Sequence, residues 1–146
     1  MKKPFRKRLE EERAILADGA MGTELYKRGI FINQCYDYLN ITKPELVRKI
    51  HEEYVNAGAE IIETNTFGAN RIKLLPFGLE KEVNNINIAG ARIAREVAGD
   101  ELYVAGAIGP TGKEIEPVGL LSEEEAFETF REQAEALVRG GVDLII

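Results

Sequence analysis

Ala59-Glu60-Ile61-Ile62-Glu63-Thr64-Asn65-Thr66-Phe67-Gly68 passes from a short apolar run directly into four polar residues and a glycine. Three other runs share the pattern. Ala14–Ala17 leads into Asp18-Gly19-Ala20-Met21-Gly22-Thr23, and Leu102–Ala105 leads into Gly106-Ala107-Ile108-Gly109-Pro110-Thr111-Gly112. The fourth, Val142–Ile146, ends the sequence. Helical patterns lie between them, so strand alternates with helix roughly every 40 residues, which predicts parallel strands joined by crossover helices. Such sheets bind ligands at the carboxyl ends of their strands. The three loop clusters are therefore the candidate site.

The intervening segments have recognisable helix ends. Thr42-Lys43-Pro44-Glu45 reads as a capping box, followed by Leu46, Val47, Ile50, Tyr54 and Val55 on one face and a stop at Ala57-Gly58. A second helix is expected from about Glu80 to Ala98, with Val83, Ile86, Gly90, Ile93, Ala94 and Val97 inward and Gly99 as its cap. Ser122-Glu123-Glu124-Glu125 repeats the capping signal for a third, with Phe127, Phe130, Ala134, Leu137 and Val138 on the buried face. A short turn near Ala69–Leu75 is broken by Pro76.

Eight such units need about 300 residues, within the range of (β/α)₈ barrels. Four fit into 146. An open doubly wound sheet would need fewer strands, but it too would need a helix after the last one. The fourth run has no cover on one side, and an uncovered parallel strand exposes a pairing edge. The expectation is part of a longer protein: residues 1–13 as an N-terminal helical extension, and 14–146 as the first half of a larger α/β unit, cut in strand four.

Composition narrows the function. The chain is 45% hydrophobic and 30% charged, as in a folded globular protein. A net charge of −6 offers nothing to a phosphate backbone. The basic run Lys2–Arg8 is followed by Glu10, Glu11 and Glu12, and reads as a solvated first helix. No apolar stretch approaches the ~20 residues of a membrane span, and no signal peptide is visible. With the single cysteine Cys35, this makes a cytoplasmic protein the default.

Asp18 with Gly19 and Ala20 pairs a carboxylate with accessible backbone N–H groups. An ammonium and a carboxylate on one small ligand, an amino acid, would fit both; the alternative is a tight turn in which Asp18 satisfies local N–H groups. Thr64, Asn65 and Thr66 face the same strand end, either toward a ligand or as a polar cap bonded to neighbouring loops. Glu63 reads as an ion-pair partner, not a catalytic acid. Gly106–Lys113 fails as a phosphate loop, because Ala107 stands where glycine is needed and Glu114 where Ser or Thr would bind magnesium; a turn bringing backbone close to a ligand fits better. His51 reads as structural, and Cys35 has no partner at metal-ligand spacing.

Together, Asp18–Thr23, Leu39-Asn40-Ile41 with Pro44, Thr64–Asn70 and Gly106–Gly112 resemble the homocysteine S-methyltransferase family, collinearly from about Ile15 to Ile146. The likeness is strongest to the N-terminal homocysteine-binding modules of cobalamin-dependent enzymes that make methionine, and extends to modules fused to a methylenetetrahydrofolate reductase. It implies a (β/α)₈ barrel, of which this chain supplies about four β/α units. It also implies a Zn2+ held by three cysteines at the strand ends, which lowers the homocysteine thiol pKa and gives a thiolate to accept the methyl group. Asp18, Gly19 and Ala20 match the family loop that meets the amino acid end of homocysteine; Thr64, Asn65 and Thr66 match the second-strand loop. The zinc cysteines belong to the later half of such barrels and are expected beyond Ile146, so the 146 residues alone are expected to be inactive. Gly68 stands where betaine-using members carry an aromatic residue, which counts against betaine. Methylcobalamin recharged from methyltetrahydrofolate is the expected donor, through cobalamin- or folate-binding modules in cis or trans, with a standalone S-methylmethionine-dependent enzyme as the alternative. Two rivals remain: a non-catalytic half-barrel that dimerises, and a barrel enzyme acting on phosphorylated sugars.

Overall fold

The computed structural model describes residues 2–146. In chain order the elements are α1 (Phe5–Leu9), α2 (Met21–Lys27), α3 (Leu39–Thr42), α4 (Pro44–Asn56), β1 (Ile61–Glu63), α5 (Arg71–Leu74), a 3₁₀ turn (Leu75–Phe77), α6 (Val83–Ala98), β2 (Tyr103–Gly106), α7 (Glu123–Gly140) and β3 (Leu144–Ile145). The strands are parallel, in the order β1-β2-β3. The expected first strand is reduced to one bridge, Ala17 beside Ile61, supported by the Leu16 carbonyl accepting from the Glu60 N–H (2.7 Å) and the Asp18 N–H donating to the Ile61 carbonyl (3.0 Å). The four runs therefore lie side by side in chain order. Right-handed β–α–β crossovers produce this arrangement when helices pack one face of a growing parallel sheet. Barrel closure is not displayed by these residues; a small parallel α/β layer is.

Val47, Ile50, Leu25, Leu39 and Ile93 fill the space between α2, α3, α4 and α6, while Ile62, Val104, Ala94 and Ala98 close the sheet against α6. Glycines end the helices as expected: Gly58 (φ +103°) follows α4, Gly99 (φ +54°) caps α6 and Gly141 (φ +95°) caps α7. Ser122 caps α7 by accepting the Glu125 N–H at 3.1 Å.

Three expectations need correction. Thr42 is not the cap of α4. It ends α3 with its hydroxyl donating back to the Tyr38 carbonyl (3.3 Å), and Lys43 is the cap with Pro44 at the first helical position. The buried face of α7 is rotated, presenting Ala126, Thr129, Gln133, Ala136, Leu137 and Gly140 inward and leaving Phe127 (64%) and Val138 (61%) exposed. Small residues win because the helices approach closely: a Cβ on Gly140 would stand 2.4 Å from that of Ala91. The N-terminal run is not wholly solvated either. Arg8 is buried, its guanidinium donating to the Arg13 (3.0 Å) and Ala14 (3.1 Å) carbonyls beside Glu60.

Candidate active-site cleft

A cleft of about 760 Å³ opens at the carboxyl ends of the strands, walled by Asp18–Thr23, Gln34–Asp37, Glu63–Gly68, Lys73, Phe77 and Ala107. Asp18, Gly19, Ala20, Thr64, Asn65 and Thr66 are all brought to it. They do not all present free polar groups.

Asp18 sits where the first run ends. Its Oδ2 accepts the Glu63 N–H at 2.9 Å, whereas its Oδ1 is buried without a partner. Desolvation, with repulsion from the neighbouring Glu63, pushes the carboxyl up to about 7. A carboxylate with one oxygen unsatisfied is an incomplete site for a cation. Beside it, the Gly19 and Ala20 N–H groups donate to nothing among the described residues. Gly19 is pressed against Tyr54, whose hydroxyl donates to the Ala20 carbonyl at 3.0 Å; a Cβ at Gly19 would lie 2.9 Å from that oxygen. The loop is held in place with its donors unspent.

Thr64 and Thr66 are buried and closed into a ring. The Thr66 hydroxyl donates to the Ala107 carbonyl (2.8 Å), and the Ala107 N–H donates to Thr64 Oγ1 (3.0 Å). The two hydroxyls stand 2.5 Å apart, so with the Thr66 proton already spent, Thr64 is the donor between them. Asn65 is likewise committed, its amide donating to the Tyr36 carbonyl (2.8 Å) and to Asn40 Oδ1 (3.2 Å).

Buried amides hold the same loop from behind; of these the sequence reading names only Asn40, within Leu39-Asn40-Ile41. Asn40 on α3 donates to the Asn65 carbonyl (2.7 Å), Gln133 on α7 to the Thr66 carbonyl (2.7 Å), and Asn87 on α6 to the Ala69 carbonyl (2.8 Å). Asn87 and Gln133 sit at core phase on their helices, and a polar residue in that phase is the signal that could have found them. Asp37 was also missed. Its Oδ1 accepts the Gly68 N–H at 2.9 Å, and desolvation raises its carboxyl above the ordinary range.

Gly109 explains the third loop. Its N–H donates to the Phe67 carbonyl (2.9 Å), and a Cβ there would stand 2.5 Å from that oxygen. The close backbone approach is to the neighbouring loop. Glu63 forms no ion pair among the described residues, contrary to the expected role. Cys35 is half-buried at the cleft edge, 4.0 Å from Asp37 Oδ2, and His51 is fully buried in α4, away from the cleft lining. No cluster of three or more His, Cys, Asp or Glu side chains suited to a metal exists among the described residues.

Fold and cleft together define an α/β protein with a cleft at the carboxyl ends of its parallel strands. The sequence model of homocysteine S-methyltransferase matches residues 15–146, and the chain belongs to that family. Methionine synthase of Mycobacterium leprae (strain TN) is 32% identical over 148 residues, covering 92% of this chain and 12% of that protein. The homocysteine methyltransferase MmuM from Escherichia coli has the same fold. Its oxidized form gives a TM-score of 0.80 at 29% identity over 99% of this chain, and its metallated form 0.80 at 30% over 98%. The chain spans 56% of either MmuM structure.

Proposed function

We propose that the cleft binds homocysteine and that the whole protein methylates its sulfur to form methionine. The observation that carries this reading is the juxtaposition of the half-satisfied Asp18 carboxylate with the unspent Gly19 and Ala20 N–H groups. An α-amino acid presents an ammonium and a carboxylate a few ångströms apart. The ammonium completes Asp18 and lowers its pKa, while the carboxylate accepts from the backbone donors. Thr64, Asn65 and Thr66 then belong to the substrate wall through its shape, since their polar atoms already have internal partners.

In the transfer, the homocysteine thiol gives up its proton, its sulfur forms the new S–CH₃ bond, and the bond to the donor breaks with its electron pair staying on the donor. Zinc dependence and a methylcobalamin donor recharged from methyltetrahydrofolate are parts of the proposal for the whole protein, drawn from the family resemblance. No residue described here is assigned to either. Amide NMR of the chain titrated with homocysteine tests the reading. Shifts at Gly19 and Ala20, lost in Asp18→Asn, are expected; binding elsewhere, or indifference to Asp18→Asn, would refute it.

A further inference from the structure

Asp18 is pinned to the sheet on its own account. Its N–H donates to the Ile61 carbonyl (3.0 Å), and its Oδ2 accepts the Glu63 N–H (2.9 Å). Past Asp18 these ties to β1 stop. Gly19 is the residue type with the widest backbone freedom, so something else must give the next two N–H groups a direction.

Tyr54 on α4 supplies it. Its hydroxyl donates to the Ala20 carbonyl at 3.0 Å, and its ring carbons Cε1 and Cζ lie 3.1 and 3.2 Å from where a Cβ on Gly19 would be. The peptide that carries the Ala20 N–H lies between these two contacts and is set from both sides. Tyr54 itself is not part of the cleft lining; it packs against the core clusters behind the loop. It can reach a ligand only through Gly19 and Ala20.

The hydroxyl is not required to place α2. Arg28, at the far end of that helix, pairs with Glu53 of α4 and with Glu24 (2.6 Å), and Leu25 is fully buried in the core. Nor does it satisfy a buried group, because the Tyr54–Ala20 bond is exposed and water could serve both partners. A phenylalanine ring would fill the space against Gly19 equally well. What the hydroxyl adds is orientation of the loop.

We infer that Tyr54 is a positioning residue for the substrate carboxylate: its bond to the Ala20 carbonyl aims the Gly19 and Ala20 N–H groups into the cleft. This assignment rests on the homocysteine reading. Asp18, fixed separately by β1, keeps its hold on the ammonium when the Tyr54 hydroxyl is removed, so the loss falls on the carboxylate alone.

The test pairs a variant lacking the hydroxyl with a ligand lacking the carboxylate. The chain and Tyr54→Phe are titrated with homocysteine and with homocysteamine, the same molecule without its carboxylate, and followed by amide NMR. Homocysteine affinity should fall about three- to tenfold in Tyr54→Phe, while homocysteamine affinity stays the same in both proteins. Without ligand, the Gly19 and Ala20 amide signals should move in the variant and that of Glu63 should not. Equal weakening of the two ligands would show a general loosening of the cleft and overturn the assignment. Unchanged homocysteine affinity would overturn it too, as would a Tyr54→Phe chain that no longer folds. The unmodified chain tests the underlying reading separately: if homocysteine shifts neither Gly19 nor Ala20 there, the homocysteine reading fails and the assignment falls with it.

Discussion

Asp18 carries both the chemistry and a cost. Its folded pKa, about 7, stands above the ordinary 3.8, so the folded chain holds this proton more tightly than the unfolded one. Stability attributable to the protonated group is full below about pH 4 and is lost as pH rises toward 7. Asp18→Asn should therefore stabilise the chain above pH 7, by about 1–2 kcal/mol after allowance for solvent screening, while weakening homocysteine binding. Urea unfolding at pH 4 and pH 8 checks it: the variant's advantage should appear only at the higher pH. His51 gives the opposite sign. Buried with neither ring nitrogen bonded, it is pulled down from 6.5 to about 4. The unfolded chain then binds the extra proton, so stability is intact above pH 6.5 and falls as pH drops toward 4. The loss is about 3 kcal/mol over that window. His51→Leu should flatten that part of the acid limb; an unchanged limb would show that other groups control it.

Among elements, the junction of β1 and β2 is the most constrained. The Ala107–Thr64–Thr66 ring ties the two strand ends together, and Thr66→Val would orphan the Ala107 carbonyl and remove the acceptor of the Thr64 proton. A loss of about 1–3 kcal/mol is expected. A double-mutant cycle with Thr64→Val should show coupling, because the two hydroxyls share one proton chain. This junction also shows what the sequence made legible. The apolar runs, their order and the loops that follow them could be read directly, because alternation of strand and helix is written in local periodicity. The rotation of α7 could not. Hydrophobicity alone favours Phe127 and Val138, while the close approach at Gly140 and the bond from Gln133 to the Thr66 carbonyl select a face of smaller and polar residues. Whether Thr64 and Thr66 point at a ligand or at Ala107 was equally closed to sequence reading, since both arrangements need the same residue types at the same strand end.

Across the whole molecule the two ends of the sheet have separate tasks. The cleft occupies the carboxyl ends, and the N-terminal segment ties down the amino ends. Lys2 donates to the Leu102 carbonyl (2.5 Å) and Asp143 (2.7 Å), the Tyr103 hydroxyl donates to the Lys3 carbonyl (2.6 Å), and Phe5 packs edge-on against Tyr103 at 5.1 Å. Deleting residues 2–13 should lower the thermal midpoint and leave homocysteine affinity in the surviving folded fraction unchanged. A thermal scan measures the first and titration calorimetry below the midpoint the second, and a parallel loss of affinity would mean that the two ends are coupled. The central claim is that Asp18 receives the substrate ammonium, and the pH dependence of the homocysteine dissociation constant tests it most directly. Affinity should be nearly level above pH 7 and fall about tenfold per unit below it, as the free carboxyl becomes protonated, with Asp18→Asn weak and level throughout. A level profile in the unmodified chain, or one that Asp18→Asn reproduces, would contradict the account.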